Sequence, residues 1–140
     1  MKLGLIGHNI ATSQAPDIHK RLGDLFGVSV SYELFDLKSI KESNLPDLLK
    51  ELKMSDFSGV NITFPFKEKV IKCADKVYES AFNVKSANTL IFQKKIVAHN
   101  TDYSAFIKSY DFHFKKRNQE KFLLLELVGL EELSPLHYPH

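Results

Sequence analysis

The chain has 140 residues, 44% of them hydrophobic and 26% charged, with 19 basic against 17 acidic side chains. That is enough apolar material for one core and too balanced in charge for a nucleic-acid protein; the single cysteine, Cys73, excludes an internal disulfide framework and a multi-cysteine metal site. No apolar run approaches the ~20 residues of a membrane span, and Met1-Lys2 leads straight into a strand-like run with no signal peptide, so a cytoplasmic α/β or α+β domain is expected.

Lys2 to Gly7 reads as a short buried strand ending on a glycine. After the polar loop His8 to Pro16, Asp17 to Phe26 has helical spacing, with Ile18, Leu22, Leu25 and Phe26 on one face and Gly27 as its stop. Val28 to Phe35 alternates and is rich in β-branched and aromatic residues, so it predicts a second strand. Leu45 to Met54 predicts a helix with Pro46 in its first turn. Phe57 to Ile62 predicts a third strand, left through the loop Thr63-Phe64-Pro65. Phe66 to Cys73 reads as a short helix with Val70 and Cys73 inward. Ser86 to Phe92 and Lys95 to Ala98 form a hairpin around Gln93-Lys94, and Asp102 to Phe114 is a longer helix striped by Phe106, Ile107 and Tyr110. Phe57, Phe64 and Phe66 read as core rather than as a stacking platform.

Strands and helices alternate. This predicts a three-layer α/β sandwich: a mostly parallel sheet, made mixed by the late hairpin, with helices on both faces. The polar run Lys115 to Lys121 closes that domain at residue 114, and Phe122 to Leu125 begins a new buried-type strand close to the end of the chain. Residues 115–140 are therefore expected to be a linker and the stump of a missing module, with an apolar edge that favours self-association.

Three loops that follow strands carry the polar side chains suited to chemistry. They hold Thr12, Ser13, Gln14 and His19; Asn61 to Lys67; and His99 to Asp102, with Asn88-Thr89 at the edge of the hairpin. Ligands of open α/β sheets bind beyond the carboxyl ends of the strands. Hydroxyls, amides, one lysine and one aspartate suit a small, polyhydroxylated, anionic ligand. Each residue also has a plainer reading. Ser13 and Asn88 are common turn residues, Thr101 and Asp102 common caps, and Lys67 an ordinary solvated lysine. His8, His19 and His99 lack metal-ligand spacing, so no metal site is expected.

Three stretches resemble the shikimate dehydrogenase family, in the family's order. They are Gly7-His8-Asn9-Ile10-Ala11-Thr12-Ser13-Gln14-Ala15-Pro16-Asp17-Ile18-His19, then Gly59-Val60-Asn61-Ile62-Thr63-Phe64-Pro65-Phe66-Lys67, then Ala87-Asn88-Thr89-Leu90 with Ala98-His99-Asn100-Thr101-Asp102-Tyr103-Ser104-Ala105-Phe106. The resemblance covers roughly residues 1–125. It implies a half that binds shikimate, beside a Rossmann-type half that binds NADP, for the reversible reduction of 3-dehydroshikimate. By match, Lys67 and Asp102 would be the catalytic pair, and Ser13, Thr63, Asn88, Lys67 and Asp102 would hold the ligand. An ammonium beside a ketone oxygen stabilises the charge that reduction builds there, and a nearby carboxylate orients it.

The chain departs from the family pattern in places. Ala15 replaces a serine, which removes one hydrogen bond to the ligand's carboxylate and opens quinate or a related cyclohexane acid as the preferred ligand. Lys85 and Ser86 stand where small residues are usual, and Ala98 and Ala105 replace glycines. Where Gly-x-Gly-x-x-Gly belongs, the chain reads Glu126-Leu127-Val128-Gly129-Leu130-Glu131-Glu132-Leu133, so no cofactor is expected to bind these 140 residues. With suitable synonymous codons, a one-base shift at Glu126 to Tyr138 yields Gly-Thr-Gly-Gly-Val-Gly-Arg-Ala-Ile-Ser-Phe-Ala-Leu, so a shifted reading frame is the expected origin of this tail. Three readings follow: an inactive relative of a dehydrogenase, a stand-alone binding module for shikimate-like acids, or a remnant with no ligand. No membrane and no nucleic acid are expected as partners.

Overall fold

The computed structural model describes residues 1–37 and 44–114. In chain order these form β1 (Lys2–Gly7), α1 (Ala15–Leu25), β2 (Ser31–Asp36), α2 (Leu45–Met54), β3 (Phe57–Ile62), a 3₁₀ turn (Lys69–Cys73), β4 (Lys76–Val77), α3 (Glu79–Phe82), β5 (Thr89–Phe92), β6 (Ile96–His99) and α4 (Thr101–Phe114). The six described strands make one sheet in the order β2-β1-β3-β5-β6-β4. β1 runs parallel to β2 and β3, and β4 parallel to β6, while β5 is antiparallel to both neighbours. This is the mixed, mostly parallel α/β sheet that the alternating pattern predicts.

Neighbouring residues on a strand face opposite sides of a sheet, and β1 divides its side chains accordingly. Ile6 joins the main core with Leu45, Leu49 and Leu52 of α2, Val60 and Ile62 of β3, and Leu90 and Ala98 of the hairpin. Leu5 joins a second cluster with Ile10 and Tyr32, against which Leu3, Ala15 and Leu34 pack. Helices thus lie on both faces. Ala98 is fully buried in regular β6, so the core takes up its methyl.

Helix α1 departs from its expected packing. Its predicted inner face is open: Leu25 is 79% and Phe26 80% exposed, and Ile18 and Leu22 are exposed as well. The buried residue of this helix is Gly23, where a Cβ would meet Val28 O and Val30 Cγ2 at 2.5 Å. Close approach through a small residue, rather than the apolar stripe, docks the helix. Gly27, at φ +66°, closes it. Gly27 N–H donates to Asp24 C=O at 3.2 Å and Val28 N–H to Gly23 C=O at 2.8 Å, the paired bonds of a left-handed C-terminal cap. That use of Val28 delays β2, which begins at Ser31 rather than at Val28.

Phe57 and Phe66 are core residues, but Phe64 is 74% exposed, its ring at right angles to the His8 ring, so it leaves the expected cluster. The two-residue β4 and four-residue α3 lie where the sequence offers no periodic run. In α4, Tyr110 of the expected stripe is buried while Phe106 is exposed. The chain divides into two compact units after Ser104, within α4. The predicted strand Phe122 to Leu125 and the self-associating edge lie outside the described residues. Among the described residues, no helix is long and apolar enough to cross a membrane, and no three metal-ligating side chains cluster.

Candidate functional site

β1 and β3 run parallel and end side by side. Thr63 N–H donates to Ile6 C=O at 2.9 Å, and His8 N–H to Phe64 C=O at 3.0 Å. Gly7 permits this approach, since a Cβ there would collide with the Thr63 methyl. β5 is antiparallel, so its amino end arrives at the same edge. Ile62 N–H donates to Asn88 C=O at 2.8 Å, Asn88 N–H to His99 C=O at 3.1 Å, and Ala87 N–H to Lys67 C=O at 2.8 Å. The loops after β1, β3 and β6 and the segment before β5 therefore share one edge of the sheet.

Lys67 Nζ donates to Asp102 Oδ2 at 2.7 Å. Beside this pair lies Asn88, 8% exposed. Its Oδ1 accepts from Thr101 N–H at 2.9 Å and Thr89 Oγ1 at 2.9 Å, and its Nδ2 donates to Thr101 Oγ1 at 2.8 Å. Asn88 thus ties the hairpin to the first turn of α4 and so to Asp102. The plain turn reading of Asn88 does not describe a residue so placed.

Ser13 is half-buried at the start of α1. Its N–H donates to Ile10 C=O at 2.9 Å and its Oγ accepts from Ala15 N–H at 3.2 Å, and among the described residues the hydroxyl proton has no acceptor. Thr63 is half-buried, and its C=O accepts from Phe66 N–H at 3.0 Å. Among the described residues, no hydrogen bond joins Ser13 or Thr63 to the Lys67–Asp102 pair; what they share with it is the edge of the sheet.

Two supporting residues escape the sequence reading. Asn100, 6% exposed, is the cap of α4, a role expected of Thr101 or Asp102. Its Oδ1 accepts from Tyr103 N–H at 2.9 Å, and its Nδ2 donates to Ser86 C=O at 2.9 Å. An asparagine just before a helical run was the signal for it. The second is Asp36, at the end of β2. Its Oδ1 and Oδ2 accept from Asn9 N–H at 3.1 Å and Ile10 N–H at 3.2 Å, which holds the loop that carries Ser13. Nothing local to Asp36 signals that role.

Charge and burial act on three further groups. Burial pushes the Tyr32 phenol up to about 12 and also raises the Cys73 thiol. His99 is held below the ordinary histidine value, by burial first and the Lys76 charge second. It stacks on Tyr78 at 4.1 Å, and Lys76 lies 4.5 Å over the same tyrosine ring.

A dinucleotide's pyrophosphate is held by free N–H groups between a strand and a helix. In the β1–α1 turn the Asn9 and Ile10 N–H groups are taken by Asp36, whose negative charge opposes a phosphate. These two N–H groups are therefore engaged within the fold.

The shikimate dehydrogenase substrate binding domain matches residues 5–90. The chain is 32% identical over 127 residues to a shikimate dehydrogenase (NADP(+)) of Clostridium botulinum, covering 90% of this chain and 48% of that protein. The chain spans about half the length of the curated relatives it matches. A shikimate 5-dehydrogenase from Thermus thermophilus, solved with NADP(H) and shikimate, superposes with a TM-score of 0.70 at 29% identity, over 81% of this chain and 42% of that one. A quinate dehydrogenase from Corynebacterium glutamicum, solved with NAD, gives 0.72 at 30% identity, over 83% and 43%.

Proposed function

The chain belongs to the shikimate dehydrogenase substrate binding domain family, and on that premise we propose that residues 1–114 bind shikimate or a closely related hydroxylated cyclohexane acid. Ser13, Thr63, Lys67, Asn88 and Asp102 hold the ligand. The observation that carries this reading is the Lys67–Asp102 ion pair, 2.7 Å long, at the same edge of the sheet as the Asn88–Thr101 clasp.

The chemistry assigned to these residues is recognition and proton handling. The Lys67 ammonium stabilises negative charge on a ligand oxygen and exchanges a proton with it, while Asp102 orients the ammonium and accepts from the same hydroxyl. The Ser13 hydroxyl donates to the ligand's carboxylate, and Asn88 Nδ2 donates to a ligand hydroxyl. Ala15 has no second hydroxyl to add, which weakens the hold on the carboxylate by about 1 kcal/mol. Hydride transfer is not assigned to them, because the family match covers a substrate binding domain. The 140 residues alone are expected to bind the acid without NADP-dependent turnover, and residues 115–140 are read as a linker and the start of a further module.

Calorimetric or ligand-observed NMR titration of shikimate into the purified chain tests this. Saturable binding weaker than about 1 μM is expected, because one face of the ligand stays wet. No saturable binding of shikimate or quinate refutes the site. NADP-dependent oxidation of shikimate by the chain alone refutes the division of labour.

A further inference from the structure

A row of polar side chains crosses the sheet beneath the site, on the face that α1 covers. Tyr32 Oη, on β2, donates to Asn61 Oδ1 on β3 at 2.8 Å, reaching over β1. Asn61 Nδ2 donates to Thr89 Oγ1 at 3.4 Å, the longest link, and Thr89 Oγ1 donates to Asn88 Oδ1 at 2.9 Å. The Tyr32 ring is buried with Leu5 and Ile10, and His19 lies 4.6 Å from it across the two rings.

Each link has a direction. An amide oxygen only accepts, an amide nitrogen only donates, and a hydroxyl that accepts on one side gives its single proton to the other. Tyr32 turns the Asn61 oxygen toward β2 and so its nitrogen toward Thr89. Thr89 accepts there and spends its proton on Asn88 Oδ1. That oxygen already accepts from Thr101 N–H at 2.9 Å, so both its lone pairs are filled. The Thr101 hydroxyl also reaches this oxygen, at 3.1 Å, as the third and longest contact on it. It also accepts from Asn88 Nδ2 at 2.8 Å, and with two nearer donors seated on Oδ1 its own proton is the one most readily given up to a ligand, along with the second Nδ2 proton. Without the Tyr32 hydroxyl, Asn61 is free to turn its oxygen to Thr89 and draw that proton away. Thr101 then donates inward to Asn88.

We propose that Tyr32 is a positioning residue that acts through Asn61 and Thr89 to keep the Asn88 amide and the Thr101 hydroxyl aimed outward as a pair of donors for the ligand's hydroxyl oxygens. The proposal rests on the functional reading of Asn88 given above. The high phenol pKa of Tyr32 keeps the first donor protonated throughout the range in which the protein is handled.

Tyr32→Phe keeps the buried ring and removes only the donor. In ¹H–¹⁵N spectra of the free protein, the side-chain NH₂ signals of both Asn61 and Asn88 are expected to move. Shikimate affinity is expected to fall about three- to tenfold, with the melting temperature within a few degrees of the parent. Thr89→Val is expected to give the same loss, Thr89→Ser to retain affinity, and the double variant Tyr32→Phe/Thr89→Val to lose no more than either alone. An Asn88 signal that stays in place in Tyr32→Phe, or a double variant whose loss is the product of the two single losses, overturns the proposal. Because the amide signals are read without ligand, failure of shikimate to bind the parent chain refutes the functional reading and leaves the relay to be judged by the signals alone.

Discussion

Truncating Lys67 to alanine removes an ammonium that donates to Asp102 at 2.7 Å, in a pair whose side chains are 37% and 64% exposed. Water reaches both partners, so the pair contributes only ~0.2–1 kcal/mol to stability. The backbone carbonyl of Lys67, which accepts from Ala87 N–H at 2.8 Å, survives the substitution and keeps the loop tied to the hairpin. Toward a ligand oxygen the same ammonium makes a charge-assisted hydrogen bond, ~1.5–3 kcal/mol where it is well shielded. Its partial exposure places the value near the lower end, roughly 1.5 kcal/mol, or about tenfold in Kd. The expected outcome is therefore a split: shikimate affinity falls about tenfold while the urea midpoint hardly moves. Salt sharpens the test, because at about 0.5 M NaCl the Debye length shrinks below ~5 Å and the parent should lose more affinity than the variant. Calorimetric titration at low and high salt, beside urea denaturation, measures both quantities. An unchanged Kd would mean that the ligand sits elsewhere, and a stability loss above ~2 kcal/mol would mean that the pair is structural.

Three other substitutions test the frame around the pair. Asn100→Ala removes the cap of α4 and the donor to the half-buried Ser86 carbonyl, so a loss of ~1–3 kcal/mol is expected in urea denaturation. Asn100→Asp, which keeps the cap oxygen, should fall between it and the parent, and a loss under ~0.5 kcal/mol for alanine would refute the assignment. Gly59→Ala places a Cβ 2.5 Å from the Leu90 carbonyl oxygen on the paired strand, so β3 and β5 must part at a cost of ~1–3 kcal/mol; an unchanged urea midpoint counts against that contact. His99 has a folded pKa below its unfolded value, so the unfolded chain takes up its proton first as pH falls. This group costs nothing above the ordinary value of ~6.5, and stability drops as pH falls through the window beneath it. Between about pH 7.5 and 5 the parent should therefore lose more stability than His99→Gln. Lys76→Gln should raise the His99 pKa in an NMR titration, and an equal loss in parent and His99→Gln would sink the argument.

The candidate site was legible in the sequence to the extent that its residues lie in short motifs at the ends of strands. Lys67, Asn88 and Asp102 stand out there as residue types, and the antiparallel return of β5 brings them to one edge. What holds them was not legible. Asp36 is 26 residues from Ile10, whose N–H it accepts, and Tyr32 is 29 residues from Asn61, to which it donates. No local pattern records bonds across such distances.

The same division runs through the fold. β3 occupies Phe57–Ile62 and α2 occupies Leu45–Met54, as their periodicity predicts, because burial on one face of an element leaves its period in the chain. The alternating order of elements likewise determined an α/β sheet. The packing of α1 was a tertiary decision. Its apolar stripe predicts a buried face, yet the helix docks through Gly23, because the space against Val28 and Val30 admits a bare backbone and no side chain. Phe64 leaves the core for the same kind of reason: Phe66 fills the buried place in that turn and Phe64 faces water. β4 is two residues long and exists because Lys76 and Val77 find β6 to pair with. Periodicity and motif are properties of neighbours along the chain, so the sequence by itself determined the elements and the residues at their ends. Which stripe is buried, and which amide is turned which way, depends on what lies across the sheet, and only the tertiary structure supplies that.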